Sequence, residues 1–189
     1  MENVPLNDEL PILETRGPWQ RFHPGKYGAI HFGRSSEMRF DDPRGEYGVL
    51  YVAEDEFGAF VETFLRKPEL KLVDRGDLDL RVLSEIEASE EVRIVDLTGK
   101  GLQRAGIAGD RITGDYESPQ ALSREIFEHR LAPDGIRYRV RRDLSRVGIA
   151  LFERPETAAR LSATGRGGLL EPRNQRLLGE LLEEYDEAL

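Results

Sequence analysis

Arg39, Tyr51 and Glu62 fall within one stretch, Met38–Lys67 (MRFDDPRGEYGVLYVAEDEFGAFVETFLRK), and have the types and spacing to do chemistry. Arg39-Phe40 stands just before an apolar run, Tyr51 sits in the middle of that run, and Glu62 follows eleven residues later. If the segment around Glu62 is helical, its side chain leans toward the N-terminus and lies over Gly58 and Ala59. Two small residues beside a carboxylate leave room that a ligand could occupy. The competing reading is a solvated Glu on an exposed helix face. A buried Tyr needs a partner for its hydroxyl, and the plain reading of Tyr51 is a core residue bonded to backbone.

The elements that must position these residues are legible in the same stretch. Gly48–Ala53 (GVLYVA) is apolar on both alternating faces, as expected of a strand covered on both sides. Glu54-Asp55-Glu56 places acidic residues where a helix would begin. Phe57, Phe60, Val61, Phe64 and Leu65 then follow the i, i+3, i+4, i+7, i+8 spacing of one apolar helix face.

The rest of the chain frames this unit. Residues 1–18 read as an irregular lead-in, residues 19–155 as the main domain, and residues 156–189 as a linker and a C-terminal helix packed on it. Trp19–His23 begins the ordered part. Tyr27–Gly33 is a strand or loop candidate, Leu70–Val73 and Leu78–Leu83 are short strand candidates, Glu85–Glu91 reads as a loop, and Val92–Leu97 as a strand. Gly99, Gly101, Gly106 and Gly109 do not form a dinucleotide-binding loop, because Arg104 occupies the third glycine position. Ser118-Pro119 starts a helix running to about Leu131, with Leu122, Ile126 and Phe127 inward. Ile136–Arg141 and Val147–Phe152 form a hairpin through Arg142–Arg146. Gly165–Gly168 reads as a linker before a helix at about Arg173–Ala188. Strands with interspersed helices indicate an α+β fold: a compact single domain with a small mixed or antiparallel sheet and flanking helices.

Composition excludes several classes. The 189-residue chain carries a formal charge of −9, which argues against general nucleic-acid binding but leaves room for a local cationic pocket for a phosphorylated small molecule. There is no cysteine, no signal-like N-terminus and no membrane-length apolar run, so a cytoplasmic location is the simplest expectation. His23, His31 and His129 have no metal-site spacing, and no metal is expected.

Taken in order, Arg21-Phe22-His23, Arg39-Phe40-Asp41, Leu50-Tyr51-Val52-Ala53 and Ala59–Phe64 resemble the RES-domain family. So do Asp96–Gly99, Gly114-Asp115-Tyr116, Asp134–Tyr138 and Ala150-Leu151-Phe152. The resemblance covers about Arg21 to Arg154. It implies an ADP-ribosyltransferase-like fold and an enzyme that cleaves the nicotinamide–ribose bond of NAD+ by hydrolysis or phosphorolysis, acting as the toxin of a toxin–antitoxin pair. NAD+ is then a substrate rather than a cofactor, with inorganic phosphate as a possible co-substrate. The expected partner is an Xre-type helix-turn-helix antitoxin, and a homo-oligomer is a further possibility.

On this resemblance Arg21, Arg39, Tyr51 and Glu62 are the catalytic set. Phe22, Tyr116 and Arg141 are substrate-binding candidates, and His23 and His31 are expected in ordinary polar or core roles. Glu62 would oppose the positive charge of an oxocarbenium-like ribose. Arg21 and Arg39 would hold a diphosphate or an attacking phosphate, and Tyr51 would pack on nicotinamide or ribose. One family residue is not kept: Val140 stands where Ser is expected, and Ser145 is the nearest hydroxyl along the chain. Two alternatives follow, a protein ADP-ribosyltransferase and a catalytically silent nucleotide-binding module.

Overall fold

A computed structural model describes residues 6, 8–65 and 72–189. The described residues form an α+β domain on one eight-stranded mixed sheet of order β1-β5-β6-β7-β3-β2-β4-β8. The strands are β1 (Ile12–Thr15), β2 (Trp19–Pro24), β3 (Val49–Ala53), β4 (Arg81–Ala88), β5 (Val92–Asp96), β6 (Gly135–Val140), β7 (Asp143–Phe152) and β8 (Leu161–Gly167). The β5–β6 pair is parallel and the other neighbours are antiparallel. The helices are α1 (Glu56–Phe64), α2 (Arg75–Asp79), α3 (Lys100–Ala105), α4 (Asp110–Thr113), α5 (Glu117–Glu128), α6 (Pro155–Arg160) and α7 (Gln175–Glu184).

The sheet is nearly divided in two. Between β2 and β3 the ladder has one register pair, Gln20↔Ala53, whereas β3 pairs with β7 over five residues, Val49↔Phe152 to Ala53↔Gly148. The strands β2 and β3 therefore part beyond Gln20, and a gap opens in the middle of the sheet. Helix α1 leaves β3 beside that gap. Asp55 caps it by accepting the Gly58 amide at 2.7 Å, an interaction worth about 1 kcal/mol. Arg146 of β7 also donates to Asp55 at 2.9 Å, fixing the start of the helix to the sheet. Ala59, Phe60 and Val61 are buried, and Phe60 packs with Phe22, Leu83, Leu178 and Leu181. Burying a side chain of Phe60's size contributes about 1.5–3 kcal/mol.

Beyond the gap, on the same face of the sheet, Phe40, Val95, Leu122, Ile126, Ile136, Tyr138 and Phe152 form a second core under α5. Strand β3 is covered on both faces as its sequence requires, with Leu50 and Val52 in one cluster and Val49 and Tyr51 against another.

Several boundaries differ from the sequence reading. Ile12–Thr15 is a strand inside the expected lead-in, paired with β5. The expected linker contains β8, an edge strand on β4 whose Ser162–Gly165 side is solvent-exposed, so no alternation marks it. The candidate strand Leu78–Leu83 begins instead as α2, capped by Asp74, and β4 then continues through the expected loop to Ala88. There the buried Ile86 and Ala88 alternate with Glu85 and Glu87. The strand candidate at Leu70–Val73 lies partly outside the described residues. At the start of α5 the backbone of Tyr116 is already helical, so Ser118 lies inside the helix and makes no cap.

Candidate active site

The gap between β2 and β3 holds a cavity of about 190 Å³. Its walls include Arg21 and Phe22 of β2, Tyr51 of β3, and Ala59 and Glu62 of α1. A narrower cavity of about 90 Å³ is lined by Arg39, Val140, Arg141 and Tyr116. The two share Met38, Tyr51, Glu62 and Tyr138 as a common border. Every catalytic or substrate-binding residue expected from the sequence thus lines this bipartite cleft, and Glu62 faces both parts.

The arginines are held by backbone rather than by carboxylates. Arg21 Nη1 donates to the carbonyls of Ala29 at 2.9 Å and His31 at 3.2 Å. Burial pushes its guanidinium pKa down to about 10, so it remains charged at neutral pH. Arg39 is buried, donates to the Arg139 carbonyl at 3.1 Å, and packs its guanidinium on the rings of Phe40 and Tyr138, at 4.9 and 4.5 Å from the centroids. Among the described residues no carboxylate forms an ion pair with Arg21 or Arg39, although the chain has 36 Asp and Glu. Cations that border a cavity and are not ion-paired suit an anionic ligand.

The Tyr51 hydroxyl is fully engaged. It donates to Asp41 Oδ1 at 3.0 Å and accepts the Phe40 amide at 2.9 Å. Burial first, and then the neighbouring Asp41 charge, raise its pKa well above the usual phenol range. Tyr51 therefore presents ring surface to the cleft with its hydroxyl fixed behind. Asp41, to which the sequence reading gave no role, is buried and lines the cavity; its Oδ2 also accepts from Ser35 Oγ at 3.0 Å and the Met38 amide at 3.1 Å. Its signal was its place directly after Arg39-Phe40.

Two expectations change. Gly58 leaves no space for a ligand: a Cβ there would lie 3.2 Å from Ala53 Cβ and 3.4 Å from Arg146 Cβ, so only Ala59 of that pair faces the cavity. The two histidines part company. His23 is buried, with Nδ1 at 3.2 Å from the Pro24 carbonyl and Nε2 at 2.9 Å from Ser84 Oγ. His31 lines the cleft, stacked on Tyr27.

Val140 is buried and its side chain forms part of the narrower cavity wall. Ser145 does not replace the absent hydroxyl: it is exposed and donates to Asp143 Oδ1 at 2.5 Å, closing the β6–β7 turn. Other motif residues are structural. Asp96 Oδ1 accepts from Thr98 and Arg137, while buried Asp134 accepts the Arg93 amide and the Thr157 hydroxyl. Gly148 leaves room for a ring, since a Cβ there would sit 2.5 Å from Tyr138 Cζ.

The fold is similar to a chain in the crystal structure of the M. tuberculosis MbcT–MbcA toxin–antitoxin complex, with a TM-score of 0.65 and 19% identity over 90% of this chain and 91% of that chain. A comparison with curated protein sequences gives no match. The RES domain model matches residues 15–170, which span the whole cleft, and the chain belongs to the RES domain family.

Proposed function

We propose that the protein is the toxin of a toxin–antitoxin pair and degrades NAD+ by breaking its nicotinamide–ribose bond. The observation that carries this reading is the convergence of Glu62, the Tyr51 ring and two arginines free of described carboxylates on one cleft in the parted sheet. The likeness to a chain of a toxin–antitoxin complex supports the biological role.

Nicotinamide in NAD+ is a cationic leaving group and departs without protonation, so the site needs no paired acid and base of the glycosidase kind. It needs a negative charge where the ribose becomes oxocarbenium-like, and Glu62 supplies one at the border of the two cavities. Arg21, fixed through one terminal nitrogen, offers its other nitrogens to the diphosphate. The Tyr51 ring, held by Asp41, flanks the ribose or nicotinamide. Arg39 and Arg141, across the border, face the side from which water or inorganic phosphate would attack. An Xre-type antitoxin would silence the protein by covering the cleft.

Expression in cells should deplete NAD+ and arrest growth, and Glu62→Gln should do neither while accumulating as folded protein. NAD+ levels unchanged by the wild-type protein, with no antitoxin present, would contradict the proposal. Labelling of a cellular protein with ADP-ribose would favour a transferase instead.

A further inference from the structure

A second arginine lines the larger cavity beside Arg21, and neither the motifs nor the chemistry above uses it. Arg81 is the first residue of β4, placed opposite Pro24 of β2 in the ladder that also sets Arg21 opposite Ser84. It is partly buried, with its guanidinium 5.9 Å from the Phe64 ring centroid. Its Nε is buried without a hydrogen-bond partner, and no described carboxylate forms an ion pair with it. An unsatisfied guanidinium N–H in a partly dry site is costly, and in a chain of net charge −9 a counter-ion would have been easy to supply. Arg21 and Arg81 both line this cavity, and two arginines there match an anion with more than one charged group.

The cleft also continues past Arg81. A second depression shares Arg81 and Pro24 with the larger cavity and is otherwise lined by Lys26, Asp77 and Leu80. Leu80 is 68% exposed, an apolar surface with no core to cover. On the reading of the cleft as an NAD+ site, we propose that Arg81 is a specificity-determining residue that binds the substrate's diphosphate with Arg21. The depression at Leu80 receives the nucleoside beyond it. Arg81 thereby selects a dinucleotide over a mononucleotide, while the ribose to be cleaved lies at the other end, against Glu62.

The test uses the purified full chain with ADP and AMP as calorimetric probes. The wild-type protein should bind ADP about tenfold or more tighter than AMP, as a charge-assisted contact to the second phosphate requires. Arg81→Met, which keeps an aliphatic stem over Phe64, should bring ADP down to the AMP level at unchanged melting temperature. In turnover its KM for NAD+ should rise by a similar factor with kcat retained, the signature of lost uniform binding. If Arg81→Met proves unstable, Arg81→Lys keeps the charge, loses the fork, and should lower the ADP preference several-fold. Retention of the wild-type ADP preference in either variant would overturn the assignment, as would a wild-type protein with no preference. An ADP preference that depends on Arg81 in a protein that leaves NAD+ intact would uphold the assignment and remove the functional reading alone.

Discussion

Tyr51 donates its hydroxyl to Asp41 at 3.0 Å, tying the middle of β3 to the Arg39–Asp41 segment that carries the buried arginine. The same hydroxyl accepts the Phe40 amide at 2.9 Å. One side chain of the cleft is thus also the clasp that sets Arg39 against its border. Removing the hydroxyl leaves the Phe40 amide without that acceptor. Tyr51→Phe should therefore cost about 1–3 kcal/mol, a fall of about 2–4 °C in melting temperature per kcal/mol for a chain of this size. Thermal denaturation checks it, and an unchanged melting temperature would show that water replaces the hydroxyl without loss.

Gly148 and Tyr138 make a second such pair. A methyl group at residue 148 would meet the Tyr138 ring at 2.5 Å, and that ring carries the Arg39 guanidinium at 4.5 Å. Gly148→Ala should destabilise by about 1–3 kcal/mol through overpacking and weaken turnover through displacement of Arg39. Melting curves and NAD+ kinetics on the same preparation measure both effects.

Val140→Ser tests the one family residue that this chain does not keep. The hydroxyl would join the wall of the narrower cavity between Tyr138 and Arg141. The variant should be less stable by about 1–3 kcal/mol, because a buried apolar group becomes polar. It should nonetheless turn over NAD+ faster. Slower turnover at equal folding would show that the valine is suited to this cleft as it stands.

His23 gives the protein a pH dependence unrelated to catalysis. Nδ1 faces a carbonyl and must carry the proton, so Nε2 accepts from Ser84 and the neutral ring is the one that fits. Burial lowers its pKa below the ordinary value of 6.5. The unfolded chain then takes up the proton first, so this contribution is complete above about pH 6.5 and is lost as pH falls toward the folded-state value. Melting temperature should drop from pH 7 to pH 5, and His23→Gln should flatten that part of the drop. An unaltered slope in the variant would assign the loss to other groups.

Much of the site was legible because its residues sit in elements with clear periodicity. The run Gly48–Ala53 and the face Phe57–Leu65 fixed β3 and α1, and with them the relation of Tyr51 to Glu62. What stayed hidden depends on contacts between distant segments. The parting of β2 from β3 is a property of pairing and leaves no local mark. Asp41 acts through Tyr51, ten residues away in sequence, and its place in the Arg39-Phe40-Asp41 motif alone assigned it no role. Gly58 read as open space because helix geometry alone does not show that Ala53 and Arg146 pack against it. Strand β8 lacks alternation because its central residues are exposed, and β-pairing with β4 overrode the low strand preference of its two glycines.

The most direct measurement is nicotinamide release from NAD+ by the purified protein, free of any antitoxin, with and without inorganic phosphate. The account predicts release by the wild-type protein and a fall of about 10²–10³-fold in Glu62→Gln, corresponding to about 3–4 kcal/mol of transition-state stabilisation, at unchanged melting temperature. Release that requires phosphate identifies a phosphorylase, and release without it a glycohydrolase. Intact NAD+ after incubation with the folded wild-type protein, or wild-type turnover in Glu62→Gln, would contradict the account.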